Sequence, residues 1–189
     1  MLGRQVTRWA ALAAAAILAI MVVVLDRLSK SLAEQALAGG PRAFIPGFLE
    51  FQLTYNQGAA WGLFSGGQWF FVLVAVAVLV VIIAYLALQR SHSVVMVISL
   101  GLFAGGSIGN AIDRFMTGQV VDFLRFMFIE FPIFNVADTF ITVGVGLLLL
   151  AMLLGGRKTP EEASLVPTDG SGEAGDGTGA ALTGDLDQP

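Results

Sequence analysis

The sequence predicts an all-α integral membrane protein: four transmembrane helices, a small extracytoplasmic β-sheet and loop on the outer face, and a disordered C-terminal tail. Three observations predict it. The 189 residues are 56% hydrophobic and only 13% charged, against roughly 25% charged in a soluble domain. The apolar residues gather into four runs near the length of about 20 residues that a helix needs to cross a bilayer. Two of the intervening segments alternate or are β-branched in the manner of strands.

The first run, Trp9 to Leu25, follows Arg4 and Arg8. It is too long for the apolar part of a secretory signal peptide. Asp26-Arg27-Leu28-Ser29-Lys30 follows it in place of a small-residue cleavage site, so it reads as a retained span over about residues 9–27. Phe48-Leu49-Glu50-Phe51-Gln52-Leu53-Thr54-Tyr55 then alternates apolar and polar residues over much of its length and reads as a strand. The second run, Trp69 to Leu88, is uncharged throughout and gives a span over 69–88. The third, Val94 to Ile112, gives a span over 94–112 broken by Gly101, Gly105, Gly106 and Gly109. Glycines at spacing four let helices approach closely. They follow no strand, so a dinucleotide-type phosphate cradle does not fit. After the Gly118-Gln119 turn, Val120 to Phe131 is β-branched and aromatic and reads as a second strand. Two such strands form a small sheet resting on the membrane. Their aromatics, with Trp61 and Phe64, suit the headgroup level. The fourth span runs from Asn135 to about residue 155. Residues 1–158 thus form the membrane domain. Residues 159–189, rich in Gly, Glu, Asp, Thr and Pro, form an acidic, disordered cytoplasmic tail.

The net charge of −4 belongs to that tail. Seven of the 14 acids lie beyond Thr159, and without them 10 bases stand against 7 acids. No basic cluster suggests a nucleic-acid partner. Arg4, Arg8, Arg90, Arg157 and Lys158 fall on one side of the membrane, and Arg27, Lys30, Arg42, Arg114 and Arg125 on the other. A bare count therefore decides no orientation. The first set lies in termini and a minimal loop, the second among acids that can pair with it, which favours cytoplasmic termini. There is no cysteine, so disulfides, a thiol nucleophile and Cys-ligated metals are excluded. The single His92 sits in the short polar loop Gln89-Arg90-Ser91-His92-Ser93 and reads as a solvated residue. One histidine builds neither a zinc site nor a Ser-His triad.

The informative residues are polar ones beside the apolar runs: Asp26, Lys30, Asn56, Asn110, Asp113, Arg114, Asp122, Asn135 and Asp138. All fall on one side, leaving the spans dry in the middle, unlike a transporter with midplane polar groups. Plain alternatives exist for several. Asp26 and Lys30 have the order and spacing of a helix ion pair. Asn135 precedes the fourth span as an N-cap, with Asp138 in the first turn. Arg114 can snorkel or pair with Asp113. Asp122 has the weakest alternative, because it interrupts an apolar strand in which aspartate is disfavoured. Two carboxyls brought together there can share a proton and activate a water.

Four blocks in order carry a resemblance: Asp26-Arg27-Leu28-Ser29-Lys30; Asn56-Gln57-Gly58-Ala59-Ala60-Trp61-Gly62; Gly105 to Arg114 with Gly118-Gln119-Val120-Val121-Asp122-Phe123; and Phe134-Asn135-Val136-Ala137-Asp138. Together they resemble the bacterial lipoprotein signal peptidases, or signal peptidase II, over about residues 9–155. The departures are Arg27, where the family often has Gln, and Trp61, where it often has Phe. The resemblance implies an aspartic endopeptidase in the bacterial cytoplasmic membrane, and such chemistry needs no metal and no cofactor. Its partners would be membrane lipid and prolipoproteins carrying diacylglycerol, cut just before the lipidated cysteine. By position, Asp122 and Asp138 match the catalytic pair, and Asn56, Gly58, Asn110, Arg114 and Asn135 the substrate-binding positions. Asp26, Lys30 and Asp113 match supporting positions. A monomer with cytoplasmic termini and an extracytoplasmic site is expected. The competing reading is a small transporter or scaffold that uses the same acids for proton handling or capping.

Overall fold

A computed structural model describes residues 5–58 and 66–155, all within one compact unit, Met1–Arg157. The expectations for Trp61, Gly62 and Phe64 and for the acidic tail lie outside the described residues. In chain order the elements are β1 (Gln5–Thr7), α1 (Arg8–Ala36), β2 (Arg42–Ile45), β3 (Leu49–Asn56), α2 (Gln68–Leu88), β4 (Ser91–Ser93), α3 (Val94–Thr117), β5 (Val120–Phe126) and α4 (Val136–Gly155). Each of the four helices is long and apolar enough to cross a membrane.

Two helices continue beyond their apolar runs. α1 extends to Ala36 through Ser29-Lys30-Ser31-Leu32-Ala33-Glu34-Gln35, a stretch made mostly of good helix formers. α3 extends to Thr117 and ends at Gly118, whose φ of 78° is the left-handed conformation of a helix C-cap. The Gly118 N–H donates to Arg114 O at 3.0 Å. This turn reverses the chain directly into β5.

α3 sits between α1 and α4, and its small residues make this possible. A Cβ added at Gly105 would lie 2.6 Å from Val22 Cβ, and one at Gly109 2.6 Å from Asp26 Oδ2, both on α1. Gly106 meets Ala137 and Ile141 on α4 in the same way. The glycines therefore serve close helix approach. α2 is packed on one side only, burying Ile82 and Leu86 and leaving the rest of its apolar surface outward.

The main sheet has three antiparallel strands in the order β2-β3-β5, where the sequence pattern suggests two. The extra strand, β2, has four residues, too few for a period-2 pattern to show. β5 stops at Phe126, short of the expected Phe131. The chain then loops out and returns, and Phe134 bridges Leu124 through backbone hydrogen bonds of 2.8 and 3.0 Å. Phe123, Ala33 and Leu37 form a small core that seats the sheet against the end of α1.

At the opposite end of the helices, β1 and β4 pair antiparallel, with Val6 opposite His92. His92 is not a solvated loop residue. It is 2% exposed and its Nε2 lies 3.0 Å from Leu86 O. A carbonyl only accepts, so Nε2 carries the proton. The strand alternation turns His92 inward between exposed Ser91 and half-buried Ser93.

Candidate active site

Apart from His92 and Ser99, every buried polar or charged side chain among the described residues belongs to one cluster: Asp26, Lys30, Asn110, Asp113, Asp122 and Asn135. Asp138 and the half-buried Arg114 and Asn56 adjoin it. Buried polar groups must be satisfied by one another, and here the bonds run between elements.

Asp122 is delivered by β5 and Asp138 by the first turn of α4. The Leu124–Phe134 bridge places the start of α4 beside β5 and so brings the two carboxyls to one site. Asn135 connects them. Its Oδ1 accepts from Asp138 N at 2.9 Å, and Asp138 Oδ2 accepts from Asn135 N at 3.2 Å, a reciprocal capping box. Its Nδ2 donates to Asp122 Oδ1 at 2.6 Å and to Asn110 Oδ1 at 3.1 Å. The capping alternative thus holds for both Asn135 and Asp138, and it coexists with the pairing. The other carboxylate oxygens are held as well. Asn110 Nδ2 donates to Asp138 Oδ1 at 2.7 Å, and Asn56 Nδ2 to Asp122 Oδ2 at 3.1 Å.

Behind this layer lies a buried ionic group. Lys30 Nζ is 2.8 Å from both Asp26 Oδ2 and Asp113 Oδ2 and donates to Asn110 Oδ1 at 3.1 Å. Asp26 Oδ1 accepts from Ala137 N at 3.0 Å, so a carboxylate of α1 caps the N-terminus of α4. Asp113 also pairs with Arg27. The Asp26–Lys30 ion pair is therefore one edge of a larger network. Arg114, which could have paired with Asp113, does not. Its Nη2 donates to Gly58 O at 2.9 Å, and its guanidinium lies 4.7 Å from the centre of the Phe71 ring. Gly58 N in turn donates to Asn56 Oδ1 at 2.9 Å, which ties this turn to β3.

A cavity of about 680 Å³ opens onto the pair. Its polar wall contains Asn56, Gly58, Asn110, Arg114, Asp122 and Asp138. Its apolar wall comes from Phe71, from Phe126, Phe131 and Phe134, and from the α4 face of Thr139, Thr142 and Val143. Asn135, expected among the groups facing a substrate, is instead 0% exposed, behind the carboxyls and off the cavity wall. Both of its Nδ2 protons and its Oδ1 are engaged inside the protein. Sequence reasoning did not single out Phe71, Thr139, Thr142 or Val143, which look like ordinary span residues. It also missed the Arg27–Asp113 pair, although Arg27 and Lys30, at spacing three, share a helix face.

Burial, and after it the charge of Asp138, pushes the Asp122 carboxyl up from an ordinary 3.8 to about 7. The hydrogen bonds from Asn56 and Asn135 and the charge of Lys30 act in the opposite direction and only partly offset it. Among the described residues, no group of three or more His, Cys, Asp or Glu is placed to hold a metal ion.

Fold and site together define a multi-pass membrane protein with two enclosed carboxyls on the wall of one half-apolar cavity. Comparison with known proteins narrows this. The sequence model described as signal peptidase (SPase) II matches residues 18–154. The lipoprotein signal peptidase of Symbiobacterium thermophilum is 46% identical over 145 residues, covering 75% of this chain and 95% of its own. That of Bacillus pumilus is 39% identical over 151 residues, covering 78% and 97%. A solved bacterial membrane enzyme superposes with a TM-score of 0.72 at 33% identity, covering 77% of this chain and 92% of its own. The chain belongs to the signal peptidase II family.

Proposed function

We propose that this protein is an aspartic-type lipoprotein signal peptidase. It removes the signal peptide from diacylglyceryl-modified prolipoproteins by cutting just before the lipidated cysteine. The observation that carries the aspartic assignment is the meeting of Asp122 and Asp138 on one cavity wall, each carboxyl fixed by amide donors. Two nearby carboxyls do not both ionise easily, so the pair retains one proton near neutral pH. The ionised member takes a proton from a water held between them. That water attacks the scissile carbonyl while the protonated member donates to the carbonyl oxygen. The C–N bond then breaks as the carboxyl that took the water's proton passes it to the leaving amine, and the other takes back the hydroxyl proton as the new carboxyl group forms. The pair titrates as a unit, and acid and base roles belong to the pair. Asn56, Asn110, Arg114 and the Gly58 backbone line the same wall and are the groups that hold the substrate's main chain. Asn135 positions both aspartates from behind.

The half-apolar cavity suits a substrate that is part peptide and part lipid. The polar cluster lies at the end of the helices away from Arg8 and Arg90, and we place it at the outer leaflet, with both termini cytoplasmic. Trp9 and Trp69, both exposed, begin α1 and α2 and suit the two interfaces. Residues 1–158 act as a monomeric membrane domain.

The test is cleavage of a diacylglyceryl-modified prolipoprotein by the purified protein in detergent. Wild type cleaves, and Asp122→Asn and Asp138→Asn do not while melting near the wild-type temperature. Full activity in either folded variant refutes the pair.

A further inference from the structure

We propose that Lys30 is a positioning residue for the aspartate pair: it fixes which way the Asn110 amide faces and, through it, the Asn135 amide. This rests on the aspartic peptidase reading and assigns a role in it to a residue that touches neither carboxyl of the pair.

The argument is one of donors and acceptors. An amide's oxygen and nitrogen are nearly equal in shape, so packing alone hardly chooses between its two orientations. Its neighbours' hydrogen bonds choose. Carboxylates only accept when ionised, and an ammonium only donates. Lys30 is 2% exposed, and its three protons go to Asp26, Asp113 and Asn110. The ammonium must therefore face the Asn110 oxygen. That turns Asn110 Nδ2 to Asp138, at 2.7 Å. The second acceptor position of the same oxygen takes Asn135 Nδ2, at 3.1 Å. The remaining Asn135 Nδ2 proton then points to Asp122, at 2.6 Å, and Asn135 Oδ1 is left for Asp138 N. One buried cation thus sets the polarity of two amides in series.

Asp26 and Asp113 hold the cation in place, and Arg27 balances the second of them. Without the ammonium, the Asn110 amide is free to turn its oxygen toward Asp138. Asn135 then loses its acceptor and its fixed bond to Asp122. Two carboxyls that must share one proton would meet amides of either polarity.

Removing Lys30 alone leaves a buried carboxylate uncompensated and invites unfolding. The test therefore uses two charge-balanced double variants, Lys30→Met with Asp26→Asn and Lys30→Gln with Asp26→Asn, which keep the Arg27–Asp113 pair and leave an oxygen at position 26 to cap Ala137 N. The side chains at position 30 are of similar length, and only glutamine carries an N–H to donate to Asn110. The Met variant is expected to lose about 10- to 100-fold in kcat, the scale of a small misplacement at a reacting centre. Its KM rises by less than kcat falls, because Asn56, Arg114 and the Gly58 backbone still hold the main chain. The alkaline limb of its rate profile moves up by about one pH unit, the scale of one hydrogen bond to a charged group. The Gln variant keeps most of kcat and the wild-type limb. A purely structural or charge-balancing lysine predicts equal behaviour in the two variants, and equal kcat and equal limbs overturn the proposal. If neither folds, wild type labelled with ¹⁵N in its asparagine side chains decides. The Asn110 and Asn135 amide protons must both shift with the titration of the pair, and amides that do not respond overturn it. Failure of wild type to cleave, or full activity in Asp122→Asn or Asp138→Asn, would instead refute the peptidase reading itself.

Discussion

The two ends of the helical bundle carry equal numbers of bases in the sequence and use them in opposite ways. At one end Arg8 and Arg90 are exposed, and the link between them is a backbone bond, Arg8 N to Arg90 O at 3.1 Å. At the other end Lys30 is enclosed and makes three bonds to two elements, while Arg114, on the cavity wall, is stacked on Phe71 and bonded to Gly58 O. Counting charges treats these ends as alike. Burial separates them, because a buried charge must be paired and bonded to persist, and only one end meets that demand. The contrast predicts that substitutions at the ionic end change chemistry and stability together. Those at the ribbon end change stability alone.

The largest effect expected is loss of the pair. Asp122→Asn or Asp138→Asn should lower kcat by about 10³-fold or more, since each removes a proton-transfer group and disturbs its partner. Single-turnover cleavage of a lipid-modified prolipoprotein measures this, and a loss below tenfold would remove that residue from the reaction.

Much of this end is legible in the sequence, and the reason is local. Asn135 and Asp138 stand three apart at a helix start, and Asp26 and Lys30 stand four apart within one helix, so spacing alone proposes their bonds. What spacing does not show is long-range. The meeting of Asp122 with Asp138 depends on Phe134 returning beside Leu124. Enclosure of Asn135 depends on α3, α4 and β5 closing around it. At the ribbon end, three-residue strands are too short to leave a periodic signal, so the inward turn of His92 is not written locally. The resemblance to a known family supplied the roles that local spacing left open.

A smaller effect should follow from Gly109→Ala. The added Cβ would lie 2.6 Å from Asp26 Oδ2, in a spot that also borders Ala137. Overpacking of this kind costs about 1–3 kcal/mol, and the displaced carboxylate is the one that caps α4. Melting temperature and cleavage rate should fall together. A variant that melts lower but cleaves at the wild-type rate would show that the ionic group does not support the site.

The pH dependence sharpens the contrast further. Asp122 holds its proton to about 7 when folded, against 3.8 for an ordinary aspartate. Between those values the folded state binds more protons than the unfolded chain, so stability falls as pH rises through that window. The cost is fully present above about 7 and absent below the unfolded value. Asp122→Asn should flatten this slope, as read from denaturation between pH 4 and 7. In wild type the cleavage rate should also decline as pH rises through about 7, when the pair loses its shared proton. A rate that keeps rising through that region would contradict the one-proton pair.

The smallest effect is expected at the ribbon end. His92→Ala removes the bond from Nε2 to Leu86 O and the ring that packs 5.3 Å from Tyr85. Loss of one neutral hydrogen bond costs about 1 kcal/mol, and part of the vacated volume can admit water near the membrane surface. His92 faces none of the residues that line the cavity. Its substitution should therefore lower the melting temperature by a few degrees and leave kcat, KM and the pH profile at wild-type values. Parallel loss of activity would mean that the β1–β4 ribbon is coupled through α2 to the Phe71–Arg114 stack. In that case the two ends would not be separable, and the distinction drawn from burial would fail at its weakest joint.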